Sequence, residues 1–247
     1  MGSHNIVITP DRETSDLFFR FIQDNRKLAG DCVFHEVRRL SPQMWTWHGN
    51  PEDWALWNAT YHINKGTAEG KNQEHLKKLR GKVFLRHYGK ADHVQLSFPP
   101  IPHIDHIKDH ISGDVFFIRN KLSPERYWVK DGTTGEGPGV GNVITWTTAR
   151  SKFRIQLAMG HQVGRLMVED DDVKMSLVLD GQDYPLQLKD AKPKGALDTS
   201  GGKDLVCKFG DLLNGGFSAD NYGEYLTIFH FPDKLNNGLS GELWELV

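Results

Sequence analysis

From residue 83 onward, short runs rich in β-branched, aromatic and aliphatic residues recur with turn residues between them, a spacing that suits a sandwich or jelly roll better than alternating strands and helices. The runs fall at residues 83–88, 94–98, 115–118, 127–130, 143–148, 153–159, 165–168 and 174–179. Gly89, Pro99-Pro100, Asp131-Gly132, Asp170-Asp171-Asp172 and Asp180-Gly181 punctuate them. Parallel sheets need a dozen or more residues between strands, usually a helix, whereas antiparallel strands need only a turn. The pattern therefore predicts a mainly β chain, an antiparallel β-sandwich of jelly-roll type. Residues 225–231 and 243–247 fit further strands, residues 189–203 read as a polar loop, and residues 205–213 suit helix or strand equally.

The N-terminal segment has a different period. Thr9-Pro10-Asp11 reads as a helix start, with Thr9 as N-cap and Pro10 at the first helical position. Leu17, Phe18, Phe21, Ile22 and Leu28 then share one helical face, and Gly30 can end the helix. Phe19 lies off that stripe, so more than one face needs a partner. The expected organisation is an arm with an amphipathic helix at 1–30, followed by a β-sandwich domain at 31–247. Within the latter, residues 32–37 and 54–63 have strand composition. Residues 67–80 predict a short helix with a Glu74–Lys78 pair, a Leu76/Leu79 stripe and Gly81 as its stop.

Charge and cysteine content narrow the function classes. The formal net charge of −2 argues against nucleic-acid or membrane binding through bulk charge, and permits self-association. Cys32 and Cys207 are too few for a disulfide scaffold and lack metal-ligand spacing. No apolar run reaches the roughly 20 residues of a membrane span, and no signal-peptide pattern is present, so a cytoplasmic protein is expected.

Candidate chemistry is sparse. His103, His106 and His110 would share a helix face at i, i+3 and i+7 and could ligate zinc. Ile101, Ile104, Ile107 and Ile111 impose a competing apolar pattern, which reads the histidines as structural. Gly135, Gly137, Gly139 and Gly141 precede a strand, the reverse of a phosphate-cradling loop, and fit a long hairpin loop. Glu169-Asp170-Asp171-Asp172 lacks the alternating ligands of a calcium loop and reads as a solvated tip. Lys71, Lys77, Lys78, Arg80, Lys82 and Arg86 are interrupted by Glu74 and read as a solvated face. No catalytic constellation is found, and the chain is expected not to be an enzyme. Trp45, Trp47, Trp54 and Trp57 could form a carbohydrate platform, because sugars stack on indole faces; a core or subunit contact explains the same rings.

Several stretches resemble a known family when taken in order along the chain. They are the helix before Gly30-Asp31, the Lys-rich helix at 74–80, and Val94-Gln95-Leu96-Ser97-Phe98-Pro99 followed by Ile107-Lys108. Further on come Phe153-Arg154-Ile155-Gln156-Leu157-Ala158-Met159-Gly160 and residues 222–231. In this order the chain resembles the cypovirus polyhedrins, insect-virus proteins that form intracellular occlusion crystals. The resemblance implies a structural protein that assembles with itself as trimers and then a lattice, encloses virus particles, and dissolves in alkaline gut fluid. It also implies nucleotides bound in the lattice, no required cofactor, and a place in the cytoplasm of the infected cell. The N-terminal helix would then link trimers, with Leu17, Phe18, Phe19, Phe21 and Ile22 as its assembly interface. Two rivals stand beside this reading: a carbohydrate-binding β-sandwich using the tryptophans, and a metal-dependent enzyme using the 103–110 histidines.

Overall fold

Thirteen residues of helix near the N-terminus organise the first half of the chain. In the computed structural model this is α1 (Arg12–Asp24), preceded by a strand the sequence reading missed, β1 (Ser3–Ile8). The structure describes residues 3–25, 27–28, 32–39, 44–50, 55–88, 109–132, 141–160, 163–189, 195–222, 225–231 and 241–247. The chain divides into two compact units, Met1–His103 and Ile104–Val247.

In the first unit β2 (Lys27–Leu28), β3 (Cys32–Arg39) and β4 (Met44–Asn50) follow α1. Then come α2 (Ala55–Lys65), α3 (Gln73–Leu79) and β5 (Phe84–Tyr88). The strands form one antiparallel sheet in the order β2-β3-β4-β1-β5. Alternation along β1 buries Val7 and exposes Ile8. In register Trp45 of β4 lies opposite Arg39 of β3, so both share the face that receives α1.

On that face Phe18 stacks on Trp45 at 5.1 Å between centroids, and Phe19 meets it edge-on at 5.2 Å. Arg39 pairs with Asp16 and lies 5.7 Å over the Phe19 ring. Segment 70–72 and α3 close another side: the Asn25 side chain accepts from the Lys71 amide at 2.6 Å, and α3 packs on α1. All residues from Thr14 to Ile22 are buried.

This corrects the expected arm. Leu17, Phe18, Phe19, Phe21 and Ile22 are 6%, 0%, 7%, 1% and 1% exposed within a single chain, so they are core of the N-terminal unit rather than a surface awaiting neighbours. Phe19, off the main stripe, is covered because sheet and helix enclose α1 from different sides. The arm boundary at residue 30 falls inside this unit, and Leu28 belongs to β2 rather than to the helix.

The helix cap also differs by two residues. Asp11, not Thr9, is the N-cap and accepts from the Thr14 amide at 2.7 Å, while the Thr9 hydroxyl donates to the Asp11 carbonyl. The Thr14 amide, then its hydroxyl, hold the Asp11 carboxyl below its usual value, with Lys82 adding a smaller pull. A depressed carboxylate stabilises the fold above its unfolded value near pH 4, and that contribution is lost as pH falls through the lower folded value. Asp11→Ala should cost about 1 kcal/mol at pH 6 and clearly less at pH 2. Urea midpoints at the two pH values read this, and an equal loss at both would show that the charge contributes nothing.

Residues 54–63, expected as a strand, are mostly helix α2. Leu56, Ala59, Thr60 and Ile63 are all buried, at i, i+3, i+4 and i+7. The aromatic residues Trp57 and Tyr61, which suggested a strand, lie on the solvent side of this helix. The second expected helix is shorter than drawn. Its Leu76/Leu79 stripe is buried as read, and Glu74 forms an ion pair with Lys77.

In the second unit the strands in chain order are β6 (Val115–Phe116), β7 (Ile118–Asn120), β8 (Tyr127–Lys130), β9 (Val143–Trp146), β10 (Lys152–Leu157), β11 (Asp172–Leu179), β12 (Gln182–Pro185), β13 (Gln187–Lys189), β14 (Gly195–Asp198), β15 (Lys203–Asp204), β16 (Cys207–Lys208), β17 (Phe217–Tyr222), β18 (Tyr225–His230) and β19 (Trp244–Leu246). A short helix, α4 (Phe209–Leu213), follows β16. Among the described residues two antiparallel sheets form. One runs β12-β11-β10-β6 with β16 on β11; the other runs β15-β13-β14-β18-β9-β8-β7-β19 with β17 on β18.

The mainly β, sandwich-type fold expected from the turn spacing is what forms. One hydrophobic cluster draws Phe153, Ile155, Met175 and Leu177 from the first sheet and Trp128, Val143, Phe217 and Trp244 from the second. At its centre Trp128 lies edge-on to Phe153, Phe217 and Trp244, with centroids 5.9, 5.4 and 5.6 Å away. The Asp180-Gly181 turn is confirmed: both residues have positive φ (50° and 78°), the geometry of a two-residue hairpin between β11 and β12. Two local readings change. Residues 165–168 contribute only a bridge from Leu166 to Ile111. Within the expected 189–203 loop, β14 is a fully buried strand.

Candidate binding surface

The hairpin between β7 and β8 sets the geometry of the most distinctive surface. Asn120 Oδ1 accepts from the amides of Leu122 and Ser123, both at 2.9 Å, and the Asn120 amide donates to the Arg126 carbonyl. This side-chain-closed turn holds Tyr127 opposite Arg119. Tyr127 in turn pairs with Trp146 of β9, and Arg119 with Glu245 of β19. Residues directly opposite share a face, so Glu245, Arg119, Tyr127 and Trp146 stand in one row across four strands.

Trp146 ends that row. Both faces of β9 are buried from Val143 to Thr145, and the strand opens to solvent at Trp146, which is 44% exposed. Its indole N–H donates to Thr148 Oγ1 at 2.8 Å, which fixes the ring on the surface. The chain then turns back: the Ser151 amide donates to the Trp128 carbonyl, and Ser151 Oγ accepts from the Lys130 amide. That return brings Arg150 beside β8, with its guanidinium 4.2 Å over the Phe117 ring and 5.8 Å from the Tyr127 ring centroid.

The two arginines of this surface differ electrostatically. Burial works against the Arg119 charge, but hydrogen bonds to Glu245 and Tyr127 outweigh it and raise its pKa above the usual range. The Arg119–Glu245 contacts are 2.8 Å from Nε and 2.7 Å from Nη2. Among the described residues no carboxylate pairs with Arg150. A second aromatic pair lies in the first unit, where Trp57 and Tyr61 stack at 5.4 Å and Lys65 Nζ sits 4.5 Å over Tyr61.

The residues singled out from the sequence fare differently. His103 and His106 lie outside the described residues. His110 is buried in a non-helical segment, edge-on to Phe116 at 6.1 Å and Phe209 at 5.3 Å, so it packs as a core ring. Among the described residues no group of three or more His, Cys, Asp or Glu could hold a metal ion. Gly135, Gly137 and Gly139 lie outside the described residues; the Gly141 carbonyl accepts from Thr199. The acidic run is engaged locally: Asp171 accepts from the Val168 amide, and Lys208 reaches Asp172 at 2.7 Å. Cys207 is a buried residue of the core cluster.

The tryptophan platform dissolves as drawn. Trp45 is fully buried beneath α1 and Trp57 is 47% exposed on α2, while Trp54 and the side chain of Trp47 lie outside what the structure describes. The row at Trp146 was not anticipated. Alternation along residues 127–130 hinted that Tyr127 faces away from Trp128, but its pairing with Trp146 depends on a strand register set far away in sequence.

Fold and surface together define an antiparallel β-sandwich protein with an aromatic and cationic row on one sheet. No protein-family model matches the chain, and no curated protein matches it. Solved structures to which it is similar include the botulinum neurotoxin serotype C1 binding domain, at 12% identity and TM-score 0.38, covering 57% of this chain and 44% of that one. The serotype D binding domain is similar at 11% identity and TM-score 0.41, over the same shares of the two chains. A further receptor binding domain aligns at 10% identity and TM-score 0.39, covering 85% of this chain and 54% of the other. The chain thus spans less than half the length of the first two.

Proposed function

We propose that the chain is a carbohydrate-binding β-sandwich protein and that the row ending in Trp146 is its binding surface. The observation that carries this reading is the exposed indole held in place by Thr148, in register with Tyr127. A large ring left 44% exposed forgoes part of the roughly 1.5–3 kcal/mol that full burial brings, so pinning one at the surface favours a partner that will cover it. Rigid aromatic rings give contact area at low entropic cost, and the apolar C–H face of a sugar matches a flat indole. Replacing Trp146 with Ala should weaken binding of oligosaccharides by at least about tenfold, the loss of roughly 1.4 kcal/mol. Trp57→Ala should leave it unchanged. Calorimetric titration with lactose-based oligosaccharides reads both, and equal affinity of wild type and Trp146→Ala would contradict the assignment.

A second reading is self-assembly into an occlusion-body lattice, with the chain as its own partner. It is favoured by Ile8 and Phe84, which face each other in the β1–β5 register and are 49% and 56% exposed. With α1 buried in its own unit, that pair rather than the helix would carry the contacts. Electron microscopy of expressing cells separates the two readings: lattice assembly requires micron-scale crystals, and glycan binding does not.

A further inference from the structure

Resting on the carbohydrate reading, we infer that the surface selects acidic sugars and that Arg150 pairs with their carboxylate. The arginines of the second unit provide the contrast. Arg119 is paired with Glu245, Arg126 with Glu242 at 3.0 Å, and Arg154 with Asp183 at 2.9 Å. Arg150 is exposed, stacked on Phe117, and has no carboxylate partner among the described residues. Nearby Glu245, the carboxylate of the same row, is already engaged by Arg119. Among the described residues, a positive charge without a carboxylate is therefore left 5.8 Å from the ring of Tyr127, the register partner of the exposed Trp146.

Stacking matters as much as charge. A guanidinium lying over a ring gains a cation–π contact and loses much of its side-chain freedom, while its donors remain in its own plane. Such a fork is prepared for a bidentate hydrogen bond to a carboxylate, which a lysine ammonium would make only as a point charge. Tyr127 links the two, opposite Trp146 in register and with its ring centroid 5.8 Å from the Arg150 guanidinium. A ring-bearing ligand covering the indole would thus carry a carboxylate within reach of Arg150. That description fits a sialylated or uronic-acid oligosaccharide rather than a neutral one.

The test titrates wild type, Arg150→Gln and Arg150→Lys with sialyllactose, a glucuronic-acid disaccharide and lactose. Wild type should bind at least one acidic sugar about tenfold more tightly than lactose, as expected for a hydrogen bond to a charged group. Arg150→Gln should erase that preference while keeping the lactose affinity, and Arg150→Lys should retain only part of it. Added salt should narrow the difference, and inorganic phosphate should not displace the acidic sugar. Equal binding of all three sugars by wild type would overturn the acidic preference and leave the carbohydrate reading standing. A preference that survives in Arg150→Gln would remove Arg150 from the role, and displacement by phosphate would reduce the site to a general anion contact. Failure of every sugar to bind would overturn both.

Discussion

Deleting residues 1–29 is expected to unfold the N-terminal unit rather than release a soluble β core. The deletion removes β1, an interior strand paired with both β4 and β5, so β5 loses its only described partner in the sheet. It also removes α1, and with it Phe18, Phe21 and Ile22, each at most 1% exposed. Each such side chain contributes roughly 1.5–3 kcal/mol by burial alone. Arg39 would lose its ion pair with Asp16, and breaking a buried pair by removing one partner typically costs about 3–5 kcal/mol. Together these losses rival the roughly 5–15 kcal/mol stability of a whole domain. Phe18→Ser with Phe21→Ser should act in the same direction, with a lower urea midpoint and faster proteolysis within residues 1–103. A truncated chain that stays soluble and unfolds cooperatively at the wild-type midpoint would restore the helix to the status of a detachable arm.

The second large effect is expected at Trp128, where truncation to Ala should cost about 3–5 kcal/mol. The ring is fully buried and touches Phe153 of the opposite sheet as well as Phe217 and Trp244 of its own. Its removal opens a cavity between the sheets that neighbours anchored in two different ladders cannot readily fill. For a chain of this size the loss corresponds to a fall in Tm of roughly 10 °C. Trp146→Ala, at an exposed position, should change Tm by no more than a degree or two. Comparable shifts for the two variants in thermal denaturation would contradict the assignment of one ring to the core and the other to the surface.

Much of the fold was legible because turns are local chemistry. The spacing of Gly, Pro and Asp after residue 83 identified a β-sandwich, and the strand read at 127–130 coincides with β8. What failed was any inference requiring knowledge of what lies opposite. The stripe on α1 gave its amphipathicity correctly, yet only the position of Trp45 decides that the stripe and Phe19 are buried within one chain. In α2 the aromatic residues Trp57 and Tyr61 outweighed the smaller buried positions Leu56, Ala59, Thr60 and Ile63, whose spacing was the true signal. β1 was hidden because residues 3–8 alternate weakly and become a strand only between β4 and β5.

The binding surface was illegible for the same reason. Trp146, Tyr127, Arg119 and Glu245 come from three distant stretches of sequence, and a one-residue change of register would send half of them to the other face. Arg150 reads in sequence as an ordinary surface cation. Only the return of the chain past β8 sets it on Phe117.

The most direct measurement of the central claim is the indole N–H region of the nitrogen–proton correlation spectrum during titration with sialyllactose. The chain has 7 tryptophans, and the Trp146 signal is identified by its loss in Trp146→Phe. This signal is expected to shift progressively and saturably, because the sugar covers the ring and perturbs its bond to Thr148. The signals of Trp45, Trp128 and Trp244, buried in the two cores, should stay in place. A Trp146 signal that does not move while the sugar binds, or a saturable shift at another tryptophan instead, would contradict that claim.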